Sequence, residues 1–130
     1  MRSYRSAIAV IAVLVLAGAP ATVPAREASP AVVVNMTFGL KFDPAEVRVR
    51  AGQTVEWRNK AFFPHTVTFD PSQADDASHV SLPEGVAPFD SGSIGGGQSW
   101  RHTFTTPGTY RYICKPHEGH EMLGTVIVAP

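Results

Sequence analysis

The chain has 130 residues, with 11 Lys+Arg against 11 Asp+Glu and so no formal net charge when histidine is neutral. That length supports one domain with one modest core, and the missing basic excess removes the usual argument for nucleic-acid binding. Eleven Gly and eleven Pro favour turn-rich β structure, and a single cysteine, Cys114, excludes an intramolecular disulfide and an all-cysteine zinc site.

In chain order, Met1-Arg2-Ser3-Tyr4-Arg5 is a cationic start, and the apolar stretch over 7–17 is broken by Gly18 and Pro20 and followed by small residues. This is the order of a secretory signal peptide, with an apolar core short for a membrane span. Residues 1–25 are expected to be that signal, with cleavage after Ala25 preferred to cleavage after Ala21. The alternative is an uncleaved anchor that leaves the protein on the outer face of a membrane. No cysteine lies near the cleavage region to carry a lipid. Residues 26–30 then form a short linker and 31–130 the domain, placed in a secreted or periplasmic setting. Without Arg2 and Arg5 the chain keeps 9 basic and 11 acidic residues, a net charge of −2 that by itself steers little.

Strands are expected over 31–36, 45–50, 54–59, 66–70, 99–105, 109–114 and 123–129. Val47 and Val49 alternate with Glu46, Arg48 and Arg50, and Val55 and Trp57 with Glu56 and Arg58. Val67 and Phe69, and Trp100 and Phe104, follow the same period of two. With Gly/Pro turns between them, these segments predict an all-β, antiparallel Greek-key β-sandwich of about seven to eight strands. The aperiodic stretch 71–88 reads as a surface loop. The glycine-rich stretch 91–98 lacks the ending of a phosphate loop and reads as a hairpin connection. His102, in phase with Trp100 and Phe104, is expected at the core or its edge, and His79 in solvent.

The chemistry sits in two short segments. Cys114-Lys115-Pro116-His117-Glu118-Gly119-His120-Glu121-Met122 joins two predicted strands and brings a thiol, an imidazole and a thioether into one loop, and His65 follows Phe62-Phe63-Pro64. One thiolate, two imidazoles and a weak thioether are the donor set of a mononuclear blue-copper electron-transfer site. Sulfur favours Cu(I) and imidazole suits both oxidation states, so little rearrangement need accompany electron transfer. A lone cysteine in an exported chain otherwise reads as a small buried hydrophobe, Met122 as core filler and His65 as a core or strand-end histidine. Zinc is the inorganic rival, because Cys and two His can be completed to a tetrahedral site. Cysteine-protease chemistry lacks an oxyanion hole and cleft, and multicopper chemistry lacks a His-x-His pair.

These residues resemble the small cupredoxins of the plastocyanin and pseudoazurin type. The Cys-x-x-His-x-x-x-x-Met loop and the Phe63-Pro64-His65 approach carry the likeness. So do Phe42-Asp43-Pro44, Ala51-Gly52-Gln53-Thr54-Val55, His65-Thr66-Val67-Thr68-Phe69-Asp70 and Pro107-Gly108-Thr109-Tyr110, in the same order across about 31–130. The resemblance implies one copper per chain, with His65, Cys114 and His117 as equatorial ligands and Met122 axial. It implies an apolar partner-docking patch of Leu40, Phe62, Pro64, Pro116 and Gly119 around His117. It also implies a carrier rather than an enzyme: a monomer that meets transient redox protein partners, a membrane-bound donor or acceptor among them, with no small-molecule substrate and no nucleic acid. A copper-storing or zinc-binding sandwich is the alternative. Thr66 departs from the family, which commonly has Asn there tying the two ligand loops, and a hydroxyl makes only part of that network. Glu118, His120 and Glu121 are expected to make the nearby surface more polar. His120 competes weakly as a ligand, and Asp75 and Asp76 read as solvated rather than as an acidic docking surface.

Overall fold

Alternation of Val47 and Val49 with charged neighbours makes a half-buried strand, and the same logic builds most of the domain. The computed structural model describes residues 12–20 and 29–130; much of the expected signal 1–25 and linker 26–30 therefore lies outside the described residues. Nine strands are described: β1 (Val32–Met36), β2 (Phe42–Asp43), β3 (Glu46–Arg50), β4 (Gln53–Asn59), β5 (Thr68–Phe69), β6 (Phe89–Asp90), β7 (Ser99–Phe104), β8 (Gly108–Ile113) and β9 (Leu123–Ala129). They form two sheets, β2-β1-β4-β7 and β3-β9-β8-β5-β6, packed as a β-sandwich.

Not every pairing is antiparallel as expected. β1 pairs with β4 in parallel, and β3 with β9 likewise. Both pairs join strands far apart in sequence, between which the chain has crossed to the other sheet. A parallel neighbour needs such a crossover and cannot come from a hairpin. The short β2 and β6 carry too few residues to show a period.

The core is aromatic and bridges both sheets. Trp57 of β4 lies edge-on to Tyr112 of β8 with ring centroids 5.6 Å apart, and its Nε1–H donates to the Tyr112 hydroxyl at 3.0 Å. Phe69, Phe104 and Trp100 close around Trp57. Burial pushes the Tyr112 phenol well above its ordinary pKa, so it stays a neutral hydrogen-bonding group. As expected, His102 lies at the edge of this core, stacked on Phe89 at 4.1 Å and beside Trp100.

Strand directions decide where the loops gather. The register pairs Met36 with Asn59, Arg58 with Ser99 and Ile113 with both Thr68 and Leu123. The segments after β1, β4 and β8 and before β7 therefore emerge at one end of the sandwich.

Candidate metal centre

His65 reaches that end by leaving the expected strand. The segment predicted over 66–70 is a strand only at Thr68–Phe69. His65 instead exchanges backbone hydrogen bonds with Ile94, N–H to carbonyl at 3.1 Å and the return at 2.8 Å. The glycine-rich 91–98 stretch is thus more than a hairpin connection, since it holds a site residue. A Cβ on Gly96 would fall 2.7 Å from the Ala61 carbonyl oxygen, so only glycine lets the two loops approach this closely. Asn59 staples the same loop: its Nδ2 donates to the Phe63 and Ile94 carbonyls and its Oδ1 accepts from Ala61 N–H, all at 2.9 Å. The available sequence signal for Asn59 was a polar residue in phase with Val55 and Trp57.

Cys114 follows β8 directly, and residues 115–120 form a short 3-10 segment, Lys115–His120. The loop is closed by Cys114 N–H on the Met122 carbonyl at 3.0 Å and Met122 N–H on the His117 carbonyl at 3.3 Å. Glu121 turns the chain back with a left-handed backbone, φ 57°.

The two loops bring three donor atoms together. His65 Nδ1 lies 3.1 Å from His117 Nδ1 and 3.5 Å from Cys114 Sγ, and Sγ lies 3.3 Å from His117 Nδ1. A point equidistant from these corners is about 2 Å from each, the length of a metal–imidazole bond. Among the described residues this is the one group of three His, Cys, Asp or Glu side chains able to share an ion. His65 and Cys114 are buried and His117 is half-buried, so it forms the solvent edge. Met122, fully buried, ends the same loop. His120 is exposed and outside the triad.

The electrostatics suit a cation. Burial, then the neighbouring His117, lowers the His65 pKa against a small opposing effect of the Thr37 backbone, and burial, then His120, lowers that of His117. Both rings therefore stay neutral and keep a lone pair. Burial raises the Cys114 thiol, more than offsetting the Thr66 amide, the His117 amide and the Thr66 side chain, all of which favour thiolate. The metal-free site is then a thiol facing two neutral imidazoles, and a soft cation would displace the thiol proton. Among the described residues, the one buried side-chain nitrogen or oxygen without a hydrogen-bond partner is His65 Nε2, the nitrogen left to carry the proton when Nδ1 binds. The donor set fits copper.

Two surface expectations change. Glu118 is not part of the polar rim: it is 4% exposed, and its carboxylate accepts from the Asp75 and Asp76 amides at 2.7 and 3.1 Å and meets His79 Nδ1 at 2.9 Å. Burial raises its pKa, but these donors outweigh burial and hold it low. A lone loop glutamate gives no sign of partners some forty residues away. His79, expected in solvent, is accordingly half-buried between Glu118 and Asp76. Asp75 and Asp76 are exposed as expected, although their backbones are tied down, and His120 and Glu121 do lie on the rim.

Of the expected patch, Phe62, Pro64, Pro116 and Gly119 are exposed and Leu40 packs half-buried against the core. Phe62 is 80% exposed and packs, tilted, with its ring 5.0 Å from that of Phe38, itself 61% exposed and overlooked in the sequence because it lies in an unpatterned turn. Phe63 links this pair to the site, with its ring 5.5 Å from His117.

Comparisons with known proteins agree with this geometry. Plastocyanin from Scenedesmus fuscus is 38% identical over 89 residues, covering 68% of this chain and 87% of the relative. Chloroplastic plastocyanin from Tetradesmus obliquus is 39% identical over 89 residues, and there the match covers 68% of this chain but 59% of the relative. A Cu(I) form of an amicyanin point mutant superposes with a TM-score of 0.61 at 34% identity, covering 78% of this chain and 84% of that one. Residues 29–129 match the copper binding proteins of the plastocyanin/azurin family, and the chain belongs to that family.

Proposed function

We propose that this protein is an exported mononuclear blue copper protein that carries single electrons between redox partners, with His65, Cys114 and His117 as equatorial ligands and Met122 axial. The observation that carries the reading is the 3.1–3.5 Å triangle of two imidazole nitrogens and one sulfur. Copper, when bound, supplies the one-electron change between Cu(I) and Cu(II). The chain's own residues do the rest. Asn59 and Ile94 hold His65 still, the Cys114–Met122 backbone bond closes the second loop, and the buried sandwich end keeps water from the sulfur. A cage already fixed before the electron arrives has little to rearrange.

Partner contact is assigned to the face of Phe38, Leu40, Phe62, Pro64, Pro116 and Gly119 around the half-exposed His117. Such electron-transfer contacts are small and transient. The cationic, apolar start of the chain supports a cleaved signal over 1–25 and a domain over 31–130 that works outside the cytoplasm.

Protein loaded with Cu(II) is expected to show an intense visible thiolate-to-copper band that Cys114→Ser abolishes, together with fast reversible one-electron voltammetry. A colourless wild-type complex would favour zinc, and sluggish electron exchange would favour storage.

A further inference from the structure

Of the three donors in the triangle, His117 is the least held. It is half-buried and sits at a kink between two short turns, with φ −124° and ψ 16°. Among the described residues, no side chain outside the triangle bonds its ring nitrogens. The Phe63 ring covers one side of it, but an apolar contact does not set a direction. His65, by contrast, is buried and pinned through its backbone to Ile94, and Cys114 is buried at the end of β8. What keeps His117 in place has to come from its neighbours in the loop.

Neighbours on both sides reach one segment, residues 70–81. Glu118, buried, takes the Asp75 and Asp76 amides at 2.7 and 3.1 Å and the His79 Nδ1–H at 2.9 Å. Lys115 donates to Gln73 Oε1 at 2.6 Å as well as to Asp90 Oδ2 at 3.0 Å. The segment is itself braced. Asp70 and Asp76 each cap a single 3-10 turn by accepting the Ser72 and Ser78 amides at 3.0 and 2.9 Å. Ser81 exchanges backbone hydrogen bonds with Arg111 of β8 at 3.2 and 2.9 Å. The stretch expected to be a plain surface loop is therefore a strut from the strand that ends at Cys114 to the loop that carries His117. An ionised carboxylate is costly to bury unless its oxygens meet donors. Three donors on a braced strut leave this one a single position, and His117 is the next residue in the chain.

We propose that Glu118 is a positioning residue for the copper centre, gripping the 70–81 strut so that His117 stays directed at the ion in both oxidation states. This inference rests on the copper-carrier reading above. Sulfur donors favour Cu(I), so a site whose His117 loosens is left richer in sulfur and its potential rises. Glu118→Gln keeps the shape and removes the charge and one acceptor; the copper protein should show a higher potential and an altered visible band. His79→Ala removes a single donor outside the ligand loop and should shift the potential the same way by less, and it decides alone if Glu118→Gln does not fold. Tyr110→Phe, which loses the hydroxyl bond to the Thr106 carbonyl towards the other end of β8, should leave the potential where it was. An unchanged potential in Glu118→Gln, or an equal shift in Tyr110→Phe, overturns the proposal.

Two further measurements need no metal. Hydrogen exchange at the Asp75 and Asp76 amides of the copper-free protein should be slow, and Glu118→Gln should speed it by roughly tenfold, as for one lost hydrogen bond to a charged group. The through-space NMR contact between the Phe63 and His117 rings, whose centroids are 5.5 Å apart, should weaken in the same variant. Equal exchange in the two proteins, or an unchanged ring contact, refutes the positioning role even if the visible band is present. A colourless copper complex, with exchange and ring contact both responding as described, sinks the carrier reading and still supports the grip of Glu118 on His117.

Discussion

Glu118 takes a carboxylate into the protein beside His117, and that is tolerable only because its oxygens meet two backbone amides and an imidazole. The segments containing Asp75, Asp76 and His79 are in this way fastened to the loop that carries His117. Replacing the carboxylate with an amide leaves one oxygen to accept where two did, and turns an N–H towards backbone N–H groups. Glu118→Gln is expected to lower stability by about 1.5–3 kcal/mol, the range for hydrogen bonds to a charged group. Urea denaturation of the copper-free protein checks this, and a midpoint equal to wild type would mean that the clamp contributes nothing. Cys114 and His65 show the complementary case, in which burial holds the groups neutral until a cation arrives.

At the scale of elements, β8 and β9 show how register sets packing. Their antiparallel pairing places Tyr112 opposite Gly124. A Cβ at Gly124 would strike the Tyr112 ring at its Cζ, hydroxyl and Cε1 atoms. Glycine is therefore what lets Tyr112 lie flat across β9 and reach the Trp57 indole. Gly124→Ala is expected to destabilise the fold by about 1–3 kcal/mol through overpacking, read as a lower denaturant midpoint. A fluorescence change of Trp57 should accompany it, because the ring that accepts its proton has to move. An unaltered midpoint would mean that the ring swings aside freely. The site depends on the same register, since Cys114 follows the end of β8 directly and β9 receives the chain straight after Met122.

For the whole molecule, the near balance of charge and the exposed Phe38–Phe62 pair point the same way. With 11 basic against 11 acidic residues, long-range attraction contributes little, so the docking face proposed above would work by apolar contact. Exposed aromatic area of this kind marks an interaction surface. Phe62→Ser is expected to slow electron exchange with a physiological partner by roughly tenfold, about what losing one aromatic contact costs. The visible band and the potential should stay unchanged. Exchange as fast as wild type, measured by stopped flow over a range of salt, would move the docking face elsewhere.

Much of this was legible before any coordinates. The period-two strands over 45–50, 54–59, 99–105 and 109–114 come from side-chain alternation, a local property. The Cys-x-x-His-x-x-x-x-Met spacing is local too, because one loop can curl three donors round a point. What stayed hidden is set by contacts between distant segments. The parallel β1–β4 and β3–β9 pairs, the Ile94 backbone that holds His65 and the Glu118 clamp each join residues more than twenty positions apart. The amino-acid order determined which atoms this protein can offer a metal. Only the folded sandwich decided which of them meet, because the two loops that carry them are held together by neighbours the chain brings in from elsewhere.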